Sequence, residues 1–239
     1  MTHPLLLLPG LLCDARLWRD CLPALEGVAV PHIPDLTRDD SVAAMARRAL
    51  AMMAEVPRFA VAGLSMGGYV ALEVMRQAGP RVTHLALLDT SARPDAPEQT
   101  QARLDLMALA RTGAFKGVTP RLMPRLLHPS RLGTPLADEV MAMAERVGLE
   151  GFLRQQRAIM DRPDSRGDLA QLRVPVLVAC GAEDVLTPPH LHDEMAALAP
   201  GARRLNFAGC GHLPTMEAPE PVGAALREWI MSGHGDRGG

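Results

Sequence analysis

Three residues that could together activate a hydroxyl group occur in the order serine, aspartate, histidine. Ser65 is the centre of a Gly-x-Ser-x-Gly pentapeptide, Asp184 follows a Gly-Ala-Glu segment, and His212 ends a Gly-Cys-Gly-His segment. A serine hydroxyl is a weak nucleophile unless a histidine takes its proton and a carboxylate orients that histidine. The pattern predicts a catalytic triad with Ser65 as nucleophile, His212 as base and Asp184 as acid.

A second carboxylate competes with Asp184 for the role of acid. Asp89 ends a predicted strand over residues 82–88, a position from which it could also face the histidine. Both aspartates satisfy the chain order that accompanies a serine in this kind of pentapeptide. The loop context of Asp184, just past a strand and before a proline-started helix, favours Asp184 and leaves Asp89 as the alternative.

The sequence around Ser65 predicts a strand, a very tight turn and a helix. Glycines at positions 63 and 67 suit such a turn, because a side chain there would collide with the neighbouring backbone. The turn would bring the N–H of Met66 close to a bound carbonyl oxygen, and the loop after the first strand would add the N–H of Leu11. Leu11 and Met66 are therefore the predicted oxyanion hole.

Apolar runs alternate with helical patterns along most of the chain. The runs predict strands over residues 4–8, 27–33, 58–62, 82–88, 174–179 and 202–207. Helices are predicted over residues 15–25, 42–55, 66–78, 188–199 and 219–231. This alternation indicates an α/β fold with a doubly wound, mostly parallel sheet, in which functional groups gather at the carboxyl ends of the strands.

The alternation stops in the middle of the chain. Between residues 94 and 168 no strand is predicted, and helical patterns lie near residues 98–112, 118–127, 135–147 and 149–161. We interpret residues 94–168 as an inserted helical cap on a core made of residues 1–93 and 169–239.

Composition excludes several classes of function. The formal net charge of −2 argues against a nucleic-acid partner, and the apolar run over residues 5–12 is too short and wrongly flanked for a membrane span. The four cysteines lack the spacing of a zinc site, so we predict no metal and no cofactor. We expect a cytoplasmic protein, monomeric or homodimeric, that acts on a small molecule.

Four segments resemble the signatures of the α/β-hydrolase superfamily: residues 9–12, 63–68, 181–184 and 209–212. Many members have His-Gly where this chain has Pro9-Gly10, a change that keeps the backbone donors but not the imidazole. Serine at position 65 separates the chain from the members that use an aspartate nucleophile. The resemblance implies hydrolysis of a carboxylic ester of a small or medium acyl group, through an acyl-enzyme on Ser65.

Other functions remain open within this resemblance. A thioesterase or a hydrolase of carbon–carbon bonds would use the same triad, and a non-catalytic ligand-binding protein would be expected to lack one of its members. The predicted cap has no acidic residue between positions 105 and 138 but contains Arg111, Lys116, Arg121, Arg125 and Arg131. If these face the pocket, an anionic or CoA-like substrate is favoured; otherwise they form a solvated face paired with nearby acids.

The predicted base gives a pH dependence. A protonated histidine cannot accept the serine proton, so hydrolysis should fall as the pH is lowered from about 8 to about 5. Initial rates measured across this range test the prediction, and a flat profile would contradict His212 as the base.

Overall fold

The computed structural model describes residues 2–232, so Met1 and residues 233–239 of the predicted core lie outside the described residues. Within this range six strands form a single sheet: β1 (His3–Leu8), β2 (Ala29–His32), β3 (Phe59–Leu64), β4 (Val82–Leu88), β5 (Val176–Gly181) and β6 (Arg203–Phe207). All neighbouring strands run parallel, in the order β2-β1-β3-β4-β5-β6. The predicted α/β class with a doubly wound parallel sheet is confirmed.

The helices lie between and after the strands in the chain. They are α1 (Arg16–Arg19), α2 (Val42–Met52), α3 (Met66–Ala78), α4 (Pro97–Leu109), α5 (Pro135–Met160), α6 (Arg166–Leu169), α7 (Pro189–Leu198), α8 (Pro214–Glu217) and α9 (Pro219–Met231). No helix among residues 2–232 combines the length and the apolar character needed to cross a membrane.

The centre of the sheet is apolar on both faces. Strand β1 lies between β2 and β3, and its residues Leu5–Leu8 are fully buried. Its leucines alternate between two clusters, with Leu5 and Leu7 in one and Leu6 and Leu8 in the other. Burial on both faces explains why the strand reads as a continuous apolar run and not as an alternating one.

Two predicted helices are wrong. The segment predicted as a helix over residues 15–25 splits into α1 and a 3-10 turn at Leu22–Leu25, and residues 118–127 contain only a 3-10 turn at Met123–Arg125. Proline provides the physical reason, because Pro23 and Pro124 lack the N–H that a continuous helix requires.

The segment between β4 and β5 contains α4, α5 and α6 and no strand. The backbone of α5 leaves the helical conformation at Gly148, where φ is 72° and ψ is 177°, between the two helices predicted there. The boundaries of the cap at residues 94 and 168 stay a prediction.

A buried arginine joins the two ends of this segment. The Arg162 side chain donates to the Arg93 carbonyl at 3.0 Å and to Asp95 at 2.6 Å, and its guanidinium carbon lies 4.2 Å from the centre of the Tyr69 ring. The N–H of Ser165 donates to the Ala92 carbonyl at 2.8 Å. The stretch that follows β4 and the stretch that leads back toward β5 therefore lie side by side.

The turn between β3 and α3 depends on close backbone contact. A Cβ atom on Gly63 would overlap the backbone of Gly67, and one on Gly67 would overlap the carbonyl oxygen of Leu8. The first turn of α3 therefore rests directly on the carboxyl end of β1.

Replacing the glycine at this contact should destabilise the protein. We expect Gly67→Ala to lower the free energy of unfolding by roughly 3 kcal/mol, because the backbone of β1 cannot move away without disrupting the sheet. Gly79→Ala is the matched control, since a Cβ there meets no atom within 4 Å, and it should change stability by about 1 kcal/mol at most. Chemical denaturation measures both, and equal losses would contradict the steric argument.

Candidate active site

Ser65 lies at the apex of the turn between β3 and α3. Its φ of 56° and ψ of −118° fall in a region that side chains other than glycine rarely adopt. Two hydrogen bonds hold it there: its N–H donates to the Leu88 carbonyl at 3.0 Å, and the Thr90 hydroxyl donates to its carbonyl at 2.7 Å. Ser65 remains partly exposed.

The three predicted triad residues lie together at the carboxyl ends of β3, β5 and β6. The Ser65 hydroxyl lies 2.8 Å from Nε2 of His212, and Nδ1 of His212 lies 2.8 Å from Oδ2 of Asp184. His212 and Asp184 are buried, at 4% and 2% exposure. The Nδ1–H donates to Asp184, which leaves the lone pair of Nε2 free to accept the serine proton.

Asp184 is held as a carboxylate by its surroundings. Burial raises its pKa, but the contact with His212 and the hydrogen bonds from His212 and Thr187 outweigh burial, so the net pKa lies below the ordinary value. The Thr187 hydroxyl donates to Oδ2 at 2.6 Å, and the N–H groups of Leu186 and Thr187 donate to Oδ1 at 2.8 and 3.1 Å. An ionised carboxylate in this position would stabilise a protonated His212.

Asp89, the alternative acid, lies near the triad without a hydrogen bond to His212. Its Oδ1 accepts the N–H of Gly181 at 2.8 Å, and its Oδ2 has no partner among the described residues. Burial, followed by the charge of Asp184, raises the pKa of Asp89 well above its usual range. The geometry favours Asp184 for the role of acid.

The predicted oxyanion-hole amides flank Ser65. Met66 is the first residue of α3, where N–H groups have no partner inside the helix. The loop after β1 passes close to the serine, because a Cβ on Gly10 would lie 3.4 Å from the Cβ of Ser65. The next two amides of that loop are engaged: Leu12 N–H donates to Gln155 at 2.9 Å and Cys13 N–H to the Gly10 carbonyl at 3.2 Å. The N–H of Leu11 has no hydrogen-bond partner among residues 2–232.

The loop that carries His212 is fixed by a buried glutamate. Oε1 of Glu217 accepts the N–H of Gly211 at 2.8 Å, and its Oε2 accepts the N–H of His128 at 2.7 Å. The N–H of His212 in turn donates to the carbonyl of Leu126 at 2.9 Å. Burial raises the pKa of Glu217, and hydrogen bonds from three backbone amides offset only part of that rise. No motif in the sequence indicated Glu217.

A second residue that sequence analysis missed supports the serine turn. Nε2 of His192 accepts the N–H of Thr90 at 3.0 Å, and Thr90 bonds to Ser65 as described. Burial lowers the pKa of His192 to about 4, so its ring is neutral near pH 7 and can accept this hydrogen bond. Its position at the start of a helix gave no signal of this contact.

The same cluster holds the groups that could bind a metal ion. Within residues 2–232, one set of three candidate ligands is close enough, namely Asp89, Asp184 and His212, whose ligand atoms lie within 4.8 Å of one another. The Nδ1–H of His212 donates a hydrogen bond to Asp184 and so cannot bind a metal, and both Asp184 oxygens accept hydrogen bonds from the protein. These hydrogen bonds orient His212 beside an ionised carboxylate and leave little coordinating capacity for a metal.

Replacing each aspartate by asparagine should tell which of the two acts as the acid. Asp184→Asn should lower kcat on the order of 10³- to 10⁴-fold, because an amide opposite Nδ1 favours the wrong tautomer of His212. Asp89→Asn should lower kcat less than about tenfold, because the amide oxygen can still accept the Gly181 N–H. Steady-state kinetics of both variants decide between them, and a larger loss in Asp89→Asn would reverse the assignment.

Comparison with known proteins gives related enzymes. The chain is 29% identical over 235 residues to a pimeloyl-(acyl-carrier protein) methyl ester esterase from Nitrosomonas europaea, covering 90% of this chain and 91% of that protein. It is 28% identical over 178 residues to the protein of the same name from Neisseria meningitidis serogroup B, covering 72% of this chain and 69% of that protein.

Solved structures and a family model agree on the fold. A thermophilic esterase from Thermogutta terrifontis, with malate bound, superimposes with a TM-score of 0.88 at 30% identity, over 96% of this chain and 90% of that one. The model of the alpha/beta hydrolase family matches residues 5–225. The chain therefore belongs to the alpha/beta hydrolase family.

Proposed function

We propose that the protein is a serine hydrolase that cleaves a carboxylic ester of a small or medium acyl group. The main support for the proposal is a continuous chain of hydrogen bonds from the Ser65 hydroxyl through His212 to Asp184. The Ser65 Oγ to His212 Nε2 distance and the His212 Nδ1 to Asp184 Oδ2 distance are both 2.8 Å. The esterases among its relatives support the same reaction class.

The first half of the reaction forms an acyl-enzyme. His212 takes the Ser65 proton at Nε2 as the serine oxygen attacks the ester carbonyl carbon. The negative charge that develops on the carbonyl oxygen is stabilised by the N–H groups of Leu11 and Met66. His212 then protonates the leaving alcohol, and the carbon–oxygen bond to the alcohol breaks.

The second half regenerates the enzyme. Water takes the place of the alcohol, and His212 removes its proton as the water oxygen attacks the acyl carbon. The same two N–H groups stabilise the second oxyanion, and His212 returns the proton to Ser65 as the carboxylic acid leaves. Asp184 stays ionised in both halves and keeps His212 in the required tautomer.

A substrate with an anionic group or carrier is a second candidate, favoured by the basic segment of the predicted cap. Arg111, Lys116, Arg121 and Arg125 are exposed and form no ion pair with another residue among residues 2–232. Arg125 directly precedes Leu126, whose carbonyl accepts the N–H of His212 at 2.9 Å. The relatives named for an acyl-carrier-protein ester suggest a carrier of this kind. The absence of these ion pairs argues against the alternative in which the basic residues form a solvated face paired with nearby acids.

Hydrolysis of p-nitrophenyl esters of increasing acyl length tests the main proposal. The wild type should release p-nitrophenol, and Ser65→Ala should lower the rate on the order of 10⁴-fold or more, because no nucleophile replaces the serine. The acyl length with the highest kcat/KM then measures the acyl pocket. Turnover that persists in Ser65→Ala would contradict the acyl-enzyme mechanism.

A pair of double variants tests the second candidate. Arg121→Gln with Arg125→Gln should raise the KM for an ester on an acyl carrier protein and should leave a neutral p-nitrophenyl ester unchanged, because only the first carries negative charge. Arg47→Gln with Arg58→Gln is the control, since these arginines are exposed but lie outside the basic segment. Equal effects of the two pairs would rule out the basic segment as the docking site.

A further inference from the structure

A glutamine of α5 reaches the loop that carries the predicted oxyanion donor. Gln155 is fully buried. Its Oε1 accepts the N–H of Leu12 at 2.9 Å, and its Nε2 donates to the carbonyl of Leu36 at 3.3 Å. The donor on one side and the acceptor on the other fix the orientation of the amide. One side chain from the segment between β4 and β5 therefore ties the loops that follow β1 and β2.

The loop that Gln155 holds has a strained backbone. Leu12 has a φ of 58°, in the left-handed region that a leucine rarely occupies. A hydrogen bond from Cys13 N–H to the Gly10 carbonyl, at 3.2 Å, closes the turn around it. A strained conformation of this kind persists only where surrounding contacts fix it, and the hydrogen bond from Leu12 to Gln155 is such a contact.

The amides of Leu11 and Leu12 are adjacent, so the direction of one constrains the direction of the other. The peptide that carries the Leu11 N–H also carries the Gly10 carbonyl, which accepts the N–H of Cys13 at 3.2 Å. The next peptide donates its Leu12 N–H to Gln155 at 2.9 Å, so both peptides of the turn are held by hydrogen bonds. If Gln155 no longer accepts, the N–H of Leu12 is left buried without a partner, and the turn can relax to find one.

We propose that Gln155 is a positioning residue that holds the loop after β1 so that Leu11 N–H points at the substrate carbonyl oxygen. It acts through Leu12 and does not touch the substrate. This inference rests on the proposed function, because it assigns Gln155 to the stabilisation of the oxyanion at Ser65. It also makes α5 a support of the proposed oxyanion hole, in addition to any role as a cover over the substrate.

The chain contains a matched control one residue away. Gln156 is also buried and also on α5, but its Oε1 accepts from Arg103 at 2.8 Å. Within the described part of the chain it forms no hydrogen bond with the loop after β1 or with a predicted triad residue. Gln155→Met and Gln156→Met therefore remove the same amide from neighbouring positions of one helix. A purely structural role for Gln155 would make the two variants alike.

Ester hydrolysis by the two variants gives the first readout. Gln155→Met should lower kcat by about tenfold or more with a change in KM of less than about threefold, because an oxyanion donor acts on the transition state and one such donor is worth 10²- to 10³-fold. Gln156→Met should stay within about threefold of the wild type in both constants. Equal losses in both variants, or a loss confined to KM, would overturn the proposal.

A trifluoromethyl ketone gives a second readout that does not depend on the choice of ester. Its adduct with Ser65 carries an oxyanion, so Gln155→Met should raise its inhibition constant by about the factor lost in kcat/KM, and Gln156→Met should not. A wild type that forms the adduct but hydrolyses no ester would contradict the ester proposal alone. An unchanged inhibition constant in Gln155→Met would contradict the role of Gln155 alone.

If Gln155→Met does not fold, amide hydrogen exchange measured on the wild type tests the proposal instead. The amide of Leu12 should exchange slowly, and that of Leu11 should exchange quickly until the trifluoromethyl ketone binds and protects it. Exchange of Leu12 at the rate of an exposed amide, or no protection of Leu11 by the ketone, would overturn the proposal.

Discussion

The contact between the first turn of α3 and the carboxyl end of β1 is the constraint on which the site depends. Gly67 touches the Leu8 carbonyl, and Gly63 touches the backbone of Gly67. Because no side chain separates these elements, Ser65 is forced into its unusual conformation, and the loop after β1 runs directly beside it. One backbone packing contact thus brings the proposed nucleophile and the proposed oxyanion donors together.

The segment between β4 and β5 supports this frame at two points. Through Leu126 and His128 it holds the loop of His212, with Glu217 joining the two. Through Gln155 it holds the loop after β1. Both contacts are hydrogen bonds to backbone amides in buried surroundings, where an unmade bond costs about 1–3 kcal/mol. The proposed base and the proposed oxyanion donor therefore both depend on the position of this segment.

The features predicted correctly from the sequence are those that depend on residues close together in the chain. Helix α3 begins and ends where it was predicted, because a tight turn before Met66 and a glycine–proline pair after Ala78 are local signals. The positions of Ser65, Asp184 and His212 followed from their places after strands. Gln155 was not found, because its partner lies 143 positions away in the chain and nothing near either residue indicates the contact. Pro23 and Pro124 were underestimated as helix breakers.

The arginine that joins the two ends of the segment between β4 and β5 has a consequence for how that segment can change in length. Arg162 donates hydrogen bonds to Arg93 and Asp95, and Ser165 donates one to Ala92. These bonds hold the two ends of the segment next to each other. For a flexible chain between two fixed points, doubling the length costs only about 0.6 kcal/mol of closure entropy. Residues between these anchors, apart from those that hold the loops of His212 and Leu12, can be inserted or deleted while the sheet below keeps its geometry, so one frame can carry segments of different size over Ser65.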